Sequence, residues 1–383
     1  MVSISRLLCD AVGPGDSLRY RTSPQNSRPV VVWNCTRQCN LHCLHCYADA
    51  NIQPASPEMD TEDGKNFIQG LAHFGVPVLL FSGGEPLLRK DVLELATFAK
   101  KCGVGVVIST NGTLITQEVA SNIRAIGFRE VGISLDGAEE TNDMLRGKKY
   151  AYREALQGIR NCVALGQRVS LRFTITSFNY PEIPAIFDLA EKENVDRVCF
   201  YHLAYSGRGK SLAQNDLSHS ETRSAVDLIC ERTLDLYRRG IEKEILTVGN
   251  HADGVYIYLK LKRECPERAD KVFSLLQMNG GNSSGIHIGA VDEQGNVYPD
   301  QFWRTHSLGN VRGAEFGHIW MNPSDPLMQK LRDRKKFLKE RCAGCKYVDL
   351  CNGNLRSRAE AMFNDMWAHD PACYLTEEEI GSS

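Results

Sequence analysis

Cys39, Cys43 and Cys46 stand on one short stretch, spaced by three residues and then by two, with His42 and His45 between them. Three thiolates from one loop can hold three corners of an iron–sulfur cubane and leave the fourth iron without a protein ligand. An iron left open in this way can chelate a small molecule. Read as structural zinc, the same stretch takes His42 or His45 as its fourth ligand. A second set, Cys342, Cys345, Cys351 and Cys373, supplies four thiolates. Four close either a [4Fe–4S] cluster or a structural zinc site, and spacing alone does not separate the two. Cys35, just ahead of the first set, reads as a packed strand-end residue. Cys9, Cys102, Cys162, Cys199, Cys230 and Cys265 are dispersed and read as small core residues.

These 14 cysteines belong to a chain of 383 residues, 42% of them apolar, with a formal net charge of −2. The length suits one large domain and a smaller one. The near-neutral balance argues against a nucleic-acid partner, which usually meets a basic excess. No run approaches the roughly 18 apolar residues of a membrane span. Met1–Tyr20 has no basic start followed by an apolar stretch, so no signal peptide is expected. Thiols in such a chain are expected to stay reduced, in the cytoplasm, for metal binding or catalysis rather than disulfides.

Elements must position these thiols. Short β-branched runs lie at 30–33, 78–81, 104–109, 130–135, 170–175 and 197–203. Helical spacing falls between them, as in Phe67, Leu71 and Phe74, or Val119, Ile123 and Ile126. Strands alternating with crossover helices predict a parallel sheet. Six units predict an α/β partial (β/α)6 barrel with its chemistry at the C-terminal strand ends. The first cysteine set follows the first strand. Ser82-Gly83-Gly84-Glu85-Pro86 follows the second, Asn111-Gly112 the third, and Ser134-Leu135-Asp136-Gly137 the fourth, while Arg172 lies in the fifth. Singly, the glycines and Asn111-Gly112 are ordinary turn residues and Asp136 an ordinary helix cap. Beyond residue 204 the period changes. Helices are expected over 220–239 and 256–277, a loop over 279–285, and a hairpin from 287–291 and 296–298 about Asp292–Gly295. The expected division is an N-terminal segment 1–28, a core 29–212, a helical bridge 213–285 and a small C-terminal iron–sulfur domain 286–383.

Cys39-x3-Cys43-x2-Cys46 followed by Tyr47, together with the motifs on successive strand ends, resembles the radical SAM superfamily. The resemblance implies a [4Fe–4S] cluster on the three cysteines and S-adenosylmethionine on its open iron. It implies cofactor contacts from Tyr47, Gly83, Gly84, Glu85, Asn111, Ser134, Asp136 and Arg172, with Glu85 positioning rather than acting as a base. One electron into the sulfonium would then yield a 5′-deoxyadenosyl radical that takes hydrogen from an unactivated carbon. The second cysteine set resembles the SPASM or twitch extension of this superfamily, which implies a second, auxiliary [4Fe–4S] cluster. The pattern departs from a full SPASM domain, because the hairpin from Gly285 lacks a cysteine and Asn354 stands where another is often found. One auxiliary cluster, fully ligated, is therefore expected.

Four further strings, Val30–Arg37, Phe200–Gly209, Gly295–Trp303 and Asp370–Glu379, resemble enzymes that remodel sirohaem-derived tetrapyrroles. Two branches share them. One is the didecarboxysirohaem deacetylase of alternative haem biosynthesis, the other the NirJ-type enzyme of haem d1 biosynthesis that removes propionates. The opening Met1–Cys9 leans to the first and Asn352-Gly353-Asn354 to the second. An iron tetrapyrrole with carboxylates asks for cationic anchors, and Arg208, Lys210, Arg304, Arg356 and Arg358 are the candidates, Arg208 first. His202, at a strand end, is a candidate for the iron or a substrate acid, and Trp303 and His306 for covering the site. A low-potential donor such as ferredoxin or flavodoxin is implied. Peptide modification is a competing function. Many enzymes of that kind carry a winged-helix domain in front, for which Met1–Arg28 is short. A non-enzymatic iron–sulfur or zinc scaffold is the other competitor.

Overall fold

The computed structural model describes residues 1–20, 28–53, 57–322 and 324–381. Residues 21–27 of the expected N-terminal segment and 382–383 of the expected C-terminal domain lie outside them. The strands are β1 (Val2–Ser3), β2 (Val30–Thr36), β3 (Val78–Gly83), β4 (Gly105–Thr110), β5 (Val131–Ser134), β6 (Val169–Ile175), β7 (Arg197–His202), β8 (Glu244–Val248), β9 (Ile288–Val291), β10 (Asn296–Tyr298) and β11 (Gly309–Asn310). They form one sheet in the order β1-β8-β7-β6-β5-β4-β3-β2-β9-β10-β11. The six expected strands are β2 to β7, parallel throughout. This is the α/β partial barrel expected of the alternation. Among the described residues no helix is long and apolar enough to cross a membrane.

The sheet is wider than the six units predict. β8 adds parallel to β7, and β9 adds parallel to β2, so the hairpin continues the sheet. β1 then pairs antiparallel with β8. β8 falls inside the stretch expected to be helical. Its run Ile245–Val248 between Gly240 and Gly249 is a short buried strand signal that the neighbouring helical periods mask. The long helix expected over 256–277 is two, Ala252–Glu264 and Pro266–Asn279. Pro266 has no N–H to continue the first helix and takes the first position of the next. Cys265 at this break is exposed, so it is not the core residue expected; Cys162, Cys199 and Cys230 are buried. Between β5 and β6 two helices stand where one was expected, Glu139–Arg146 and Ala151–Ala164.

The strands alternate, and the alternation divides the molecule. One set of side chains, including Val31, Trp33, Phe81, Ile108, Ile133, Phe173 and Phe200, is fully buried under the helices. Cys35 belongs to it and donates to the Ser82 carbonyl at 3.4 Å, as a packed strand-end thiol should. Truncating Trp33 or Phe200 to alanine would cost about 3–5 kcal/mol. The other set faces a cavity of about 1170 Å3 inside the curved sheet. Its wall over β9, β2 and β3 is apolar, with Val30, Val32, Leu80 and Ile288. Its wall over β4 to β7 is polar, with Ser109, Ser134, Arg172, Thr174 and Tyr201. Arg19, Arg168 and Arg197 gather on Glu244, and Arg197 also on Glu130, to close the end away from the cysteine loop.

Candidate active site

The loop leaving β2 carries the first cysteines and is folded by its own backbone. Cys39 N donates to Asn51 O at 2.8 Å, and Asn51 N returns to Arg37 O at 3.0 Å. Cys39, Leu41, Cys43 and Ala50 bury one another, with Cys46 packed against them. Backbone N–H groups point at two of the sulfurs, Leu41 at Cys39 Sγ and Ala50 at Cys46 Sγ, both at 3.5 Å. The third, Cys43 Sγ, receives Arg146 Nη1 at 3.7 Å. Burial pushes the Cys39 thiol up to about 12, and burial also raises Cys43 against the pull of Arg146. As free thiols they resist ionising, whereas coordination to a metal deprotonates a thiol outright. Three sulfurs on one buried loop, each with a donor aimed at it, fit a three-cysteine [4Fe–4S] cluster.

The glycine pair is explained by that loop. A Cβ on Gly84 would lie 2.2 Å from Gln38 O, and one on Gly83 2.4 Å from Thr36 O. Gly84 N and Glu85 N bond the same two carbonyls at 2.7 and 2.8 Å. Glu85 is fully buried and does not face the cavity. Its carboxylate accepts from Thr110 Oγ1 and Asn111 N, both at 2.7 Å, and from Leu87 N at 3.1 Å. It therefore pins the end of β3 to the end of β4. Burial raises its pKa, opposed by these three donors. Asn111 turns its amide to Asn40 Oδ1 at 2.8 Å on the cysteine loop.

Tyr47, Ser134 and Arg172 line the cavity beside Gly83, Gly84 and Asn111. The Tyr47 hydroxyl sits 2.9 Å from both Asn34 Oδ1 and Ser82 Oγ, and its ring meets Phe302 edge-on at 5.2 Å. Arg172 donates to Ser109 Oγ at 2.7 Å, while its buried Nε, lying over Gly132, has no partner. Gly132 is the residue that lets it lie there, since a Cβ would be 2.1 Å from Arg172 Nε. Asp136 is placed otherwise. It is wholly buried behind the cysteine loop, pairing with Arg146 and, at 3.0 Å, with His45 Nε2, and it does not line the cavity.

Of the substrate candidates, the structure brings His202 to the cavity and none of the proposed cations. His202 Nε2 lies 2.9 Å from Asp253 Oδ2, and Tyr374 Oη donates to Asp253 Oδ1 at 2.8 Å. Arg208 is instead a brace for the cysteine loop, reaching Cys43 O at 2.9 Å, Ala50 O at 2.8 Å and Asp49 at 3.2 Å. Arg304 pairs with Glu293 at 2.7 Å, and Arg356 donates to the carbonyls of Gly353, Met366 and Ala368. Arg358 is fully buried against Asp370 and the carbonyls of Leu203 and Gly249. Lys210 is exposed. A spacing pattern cannot tell an anchoring arginine from a bracing one, because both are cations near glycines. Trp303 and His306 both bond Glu360, at 2.7 and 2.6 Å, as a clasp outside the cavity.

The second cysteine set gathers in the C-terminal region. Burial above all holds Cys351 protonated, and Cys373, Cys342 and Cys345 add to this, so the four sulfurs sense one another. Among the described residues no three His, Cys, Asp or Glu side chains stand ready for a single metal ion. Asn354 bonds Asn250 at 2.6 Å and the N–H of His251 at 2.8 Å, so an amide locks the end of β8 where another cysteine was considered.

A family model for the radical SAM superfamily matches residues 33–190. The chain is 54% identical to the Fe-coproporphyrin III synthase of Methanosarcina barkeri, over 100% of this chain and 99% of that one. It is 41% identical to the pre-heme d1 synthase of Dinoroseobacter shibae, over 96% and 92%. It is 32% identical to the AdoMet-dependent heme synthase of Methanosarcina barkeri, over 91% and 97%. Streptococcus suis SuiB has the same fold at a TM-score of 0.70 and 18% identity, with 91% of this chain and 76% of that one covered. So does anSMEcpe with bound AdoMet, at 0.70 and 18%, with 92% and 95% covered. The three thiols, the glycine-rich approach of β3 to their loop and these relatives agree: the chain is an enzyme of the radical SAM superfamily, whose members use a [4Fe–4S] cluster and S-adenosylmethionine.

Proposed function

We propose that this enzyme removes carboxylate side chains from a sirohaem-derived iron tetrapyrrole, and that its reaction is the removal of acetates that leads to Fe-coproporphyrin III. The observation that carries the reading is the end-to-end 54% identity to an Fe-coproporphyrin III synthase, against 41% to a pre-heme d1 synthase. The cavity supports it. About 1170 Å3 exceeds the roughly 300–1000 Å3 of ordinary small-molecule sites and leaves room for a macrocycle beside the cofactor.

When bound, the cluster and S-adenosylmethionine supply a hydrogen-abstracting 5′-deoxyadenosyl radical. The chain's own residues do the rest. Cys39, Cys43 and Cys46 hold the cluster. Arg172, braced on Ser109, offers its guanidinium to the cofactor's carboxylate, Ser134 and Asn111 border the same space, and Tyr47 packs at the adenine. The backbone of Gly83 and Gly84 meets the amino group. Glu85 and Asp136 position the strand ends and the loop from behind. The apolar wall over β9, β2 and β3 takes the macrocycle's face and excludes water. His202, oriented by Asp253, meets a polar substituent. Cys342, Cys345, Cys351 and Cys373 hold the auxiliary [4Fe–4S] cluster, and a low-potential ferredoxin or flavodoxin delivers the electron.

The test is anaerobic incubation of reconstituted enzyme with didecarboxysirohaem, S-adenosylmethionine and a reductant, followed by mass spectrometry. Acetate loss is expected. Propionate loss moves the enzyme to the haem d1 branch. An unchanged tetrapyrrole beside modified peptide refutes the reading, and absence of 5′-deoxyadenosine with any substrate points to a scaffold.

A further inference from the structure

Arg146 ends the helix Glu139–Arg146 and nothing in the sequence marks it. Only 10% of its side chain is exposed, and it lines the cavity beside the cysteine loop. Nη1 donates to Cys43 Sγ at 3.7 Å. Its other terminal nitrogen pairs with Asp136, which is itself fully buried and fixed by Thr174 N at 2.7 Å and His45 Nε2 at 3.0 Å. The helix end is bolted to the loop as well. The carbonyls of Leu145 and Arg146 accept from Leu44 N at 2.9 Å and His42 N at 3.2 Å. The next residue, Gly147, has φ +66°, and a Cβ there would lie 2.6 Å from His42 O. The guanidinium is thus held at one distance from one sulfur. The other two sulfurs receive backbone N–H groups, and among the described residues Arg146 is the only charged group bonded to a thiol of this loop.

A fixed cation beside a cluster sulfur favours the form of the cluster that carries the extra electron. Net charge, hydrogen bonds to sulfur and exposure are the levers that set iron–sulfur potentials. A carboxylate at the far end of the same guanidinium offsets part of that charge. We propose that Arg146 is a positioning residue that raises the reduction potential of the cluster on Cys39, Cys43 and Cys46 through its charge and its N–H on Cys43, and that Asp136 fixes and moderates it. The effect belongs to the step that loads an electron and does not depend on which substrate follows.

The test is an EPR-monitored anaerobic redox titration of the reconstituted full chain. The relevant cluster is identified as the one whose signal changes when S-adenosylmethionine is added. In R146Q the ratio of reduced to oxidised cluster at a fixed potential should fall about tenfold, a shift of roughly 59 mV to lower potential for one electron. R146K keeps the charge and should recover most of the ratio. D136N removes the moderating carboxylate and should raise the ratio above that of the unmodified enzyme. The proposal is overturned if R146Q binds a full cluster and titrates like the unmodified enzyme, or if R146K shifts as far as R146Q, which would mean packing rather than charge. Should R146Q hold no iron, D136N decides alone: a rise supports the proposal, and an unchanged or lower ratio refutes it.

Discussion

Replacing Gly84 by alanine should disable the enzyme by moving the cysteine loop. The new methyl would sit 2.2 Å from Gln38 O, 2.7 Å from Gln38 C and 3.0 Å from Arg37 C. All three are backbone atoms, so no side chain can swing aside. Ordinary contact begins at about 3.4 Å, and the separation must therefore grow by about 1 Å. Cys39 follows Gln38 directly, so the displacement passes to the first thiol. Overpacking of this size costs about 1–3 kcal/mol in stability, which a domain this large tolerates. The catalytic cost is larger, because a displacement of about 1 Å at a reacting geometry can cost about 100-fold. G84A should fold, melt a few degrees lower and form 5′-deoxyadenosine at least 100-fold more slowly. Gly103→Ala is the control. Unlike Gly84 it has a positive φ, +83°, which strains an alanine, but nothing lies within 4 Å of its Cβ, so it should lose stability alone. Iron counting, thermal melting and chromatography of 5′-deoxyadenosine measure all three effects. A G84A enzyme with full iron and an unmodified rate would refute the claim that this glycine exists for the loop.

Cys43→Ala should abolish 5′-deoxyadenosine and lower the iron from about eight atoms per chain to about four, measured by colorimetric iron assay. His202→Gln and Asp253→Asn should slow tetrapyrrole turnover while leaving slow, uncoupled cleavage of S-adenosylmethionine, read from the ratio of 5′-deoxyadenosine to product. Arg358→Met strands Asp370 in the interior, since both are essentially unexposed, and should destabilise by about 3–5 kcal/mol, read as proteolysis of the C-terminal region at lower urea. Glu360 is pulled below its usual 4.5 by His306, Trp303 and Thr305, against the opposing effect of burial. Its ionised form therefore adds stability that is complete above about pH 4.5 and lost as pH falls through the lower folded value. The melting difference between the unmodified enzyme and E360Q should shrink as pH falls through that acid range.

The barrel strands and the places of the motifs at their ends were legible because each obeys a local rule. β-branched runs, helical periods and thiol spacing are short-range signals, and β2 to β7 and the first cysteine loop carry them. What escaped is set by tertiary contact. Ile245–Val248 is as strand-like as its neighbours but lies between two strong helices, so its period was absorbed. Arg146 is one charged residue at a helix end, and only the fold reveals that Cys43 lies in front of it. Arg208, Arg304, Arg356 and Arg358 looked like anchors because arginine is common near carboxylates. In the folded chain their forks close on backbone carbonyls and on Asp49, Glu293 and Asp370. Asp136 was expected at the cofactor on motif grounds, yet its burial between His45 and Arg146 puts it behind the loop.

The parallel pairing of β2 with β9 has a consequence for biogenesis. Val31 meets Gly289, so the strand that launches the cysteine loop waits for a partner made about 258 residues later. At about 5–20 residues per second, a ribosome takes roughly 13–50 s to deliver it. Through that interval β2 is an open edge with the apolar run Val30–Trp33, beside three thiols that await iron. Unpaired apolar edges invite pairing with other chains. Cells making this enzyme should benefit from slow synthesis at low temperature, chaperone cover and iron supplied early, and a chain cut before residue 288 should aggregate rather than fold as a smaller enzyme.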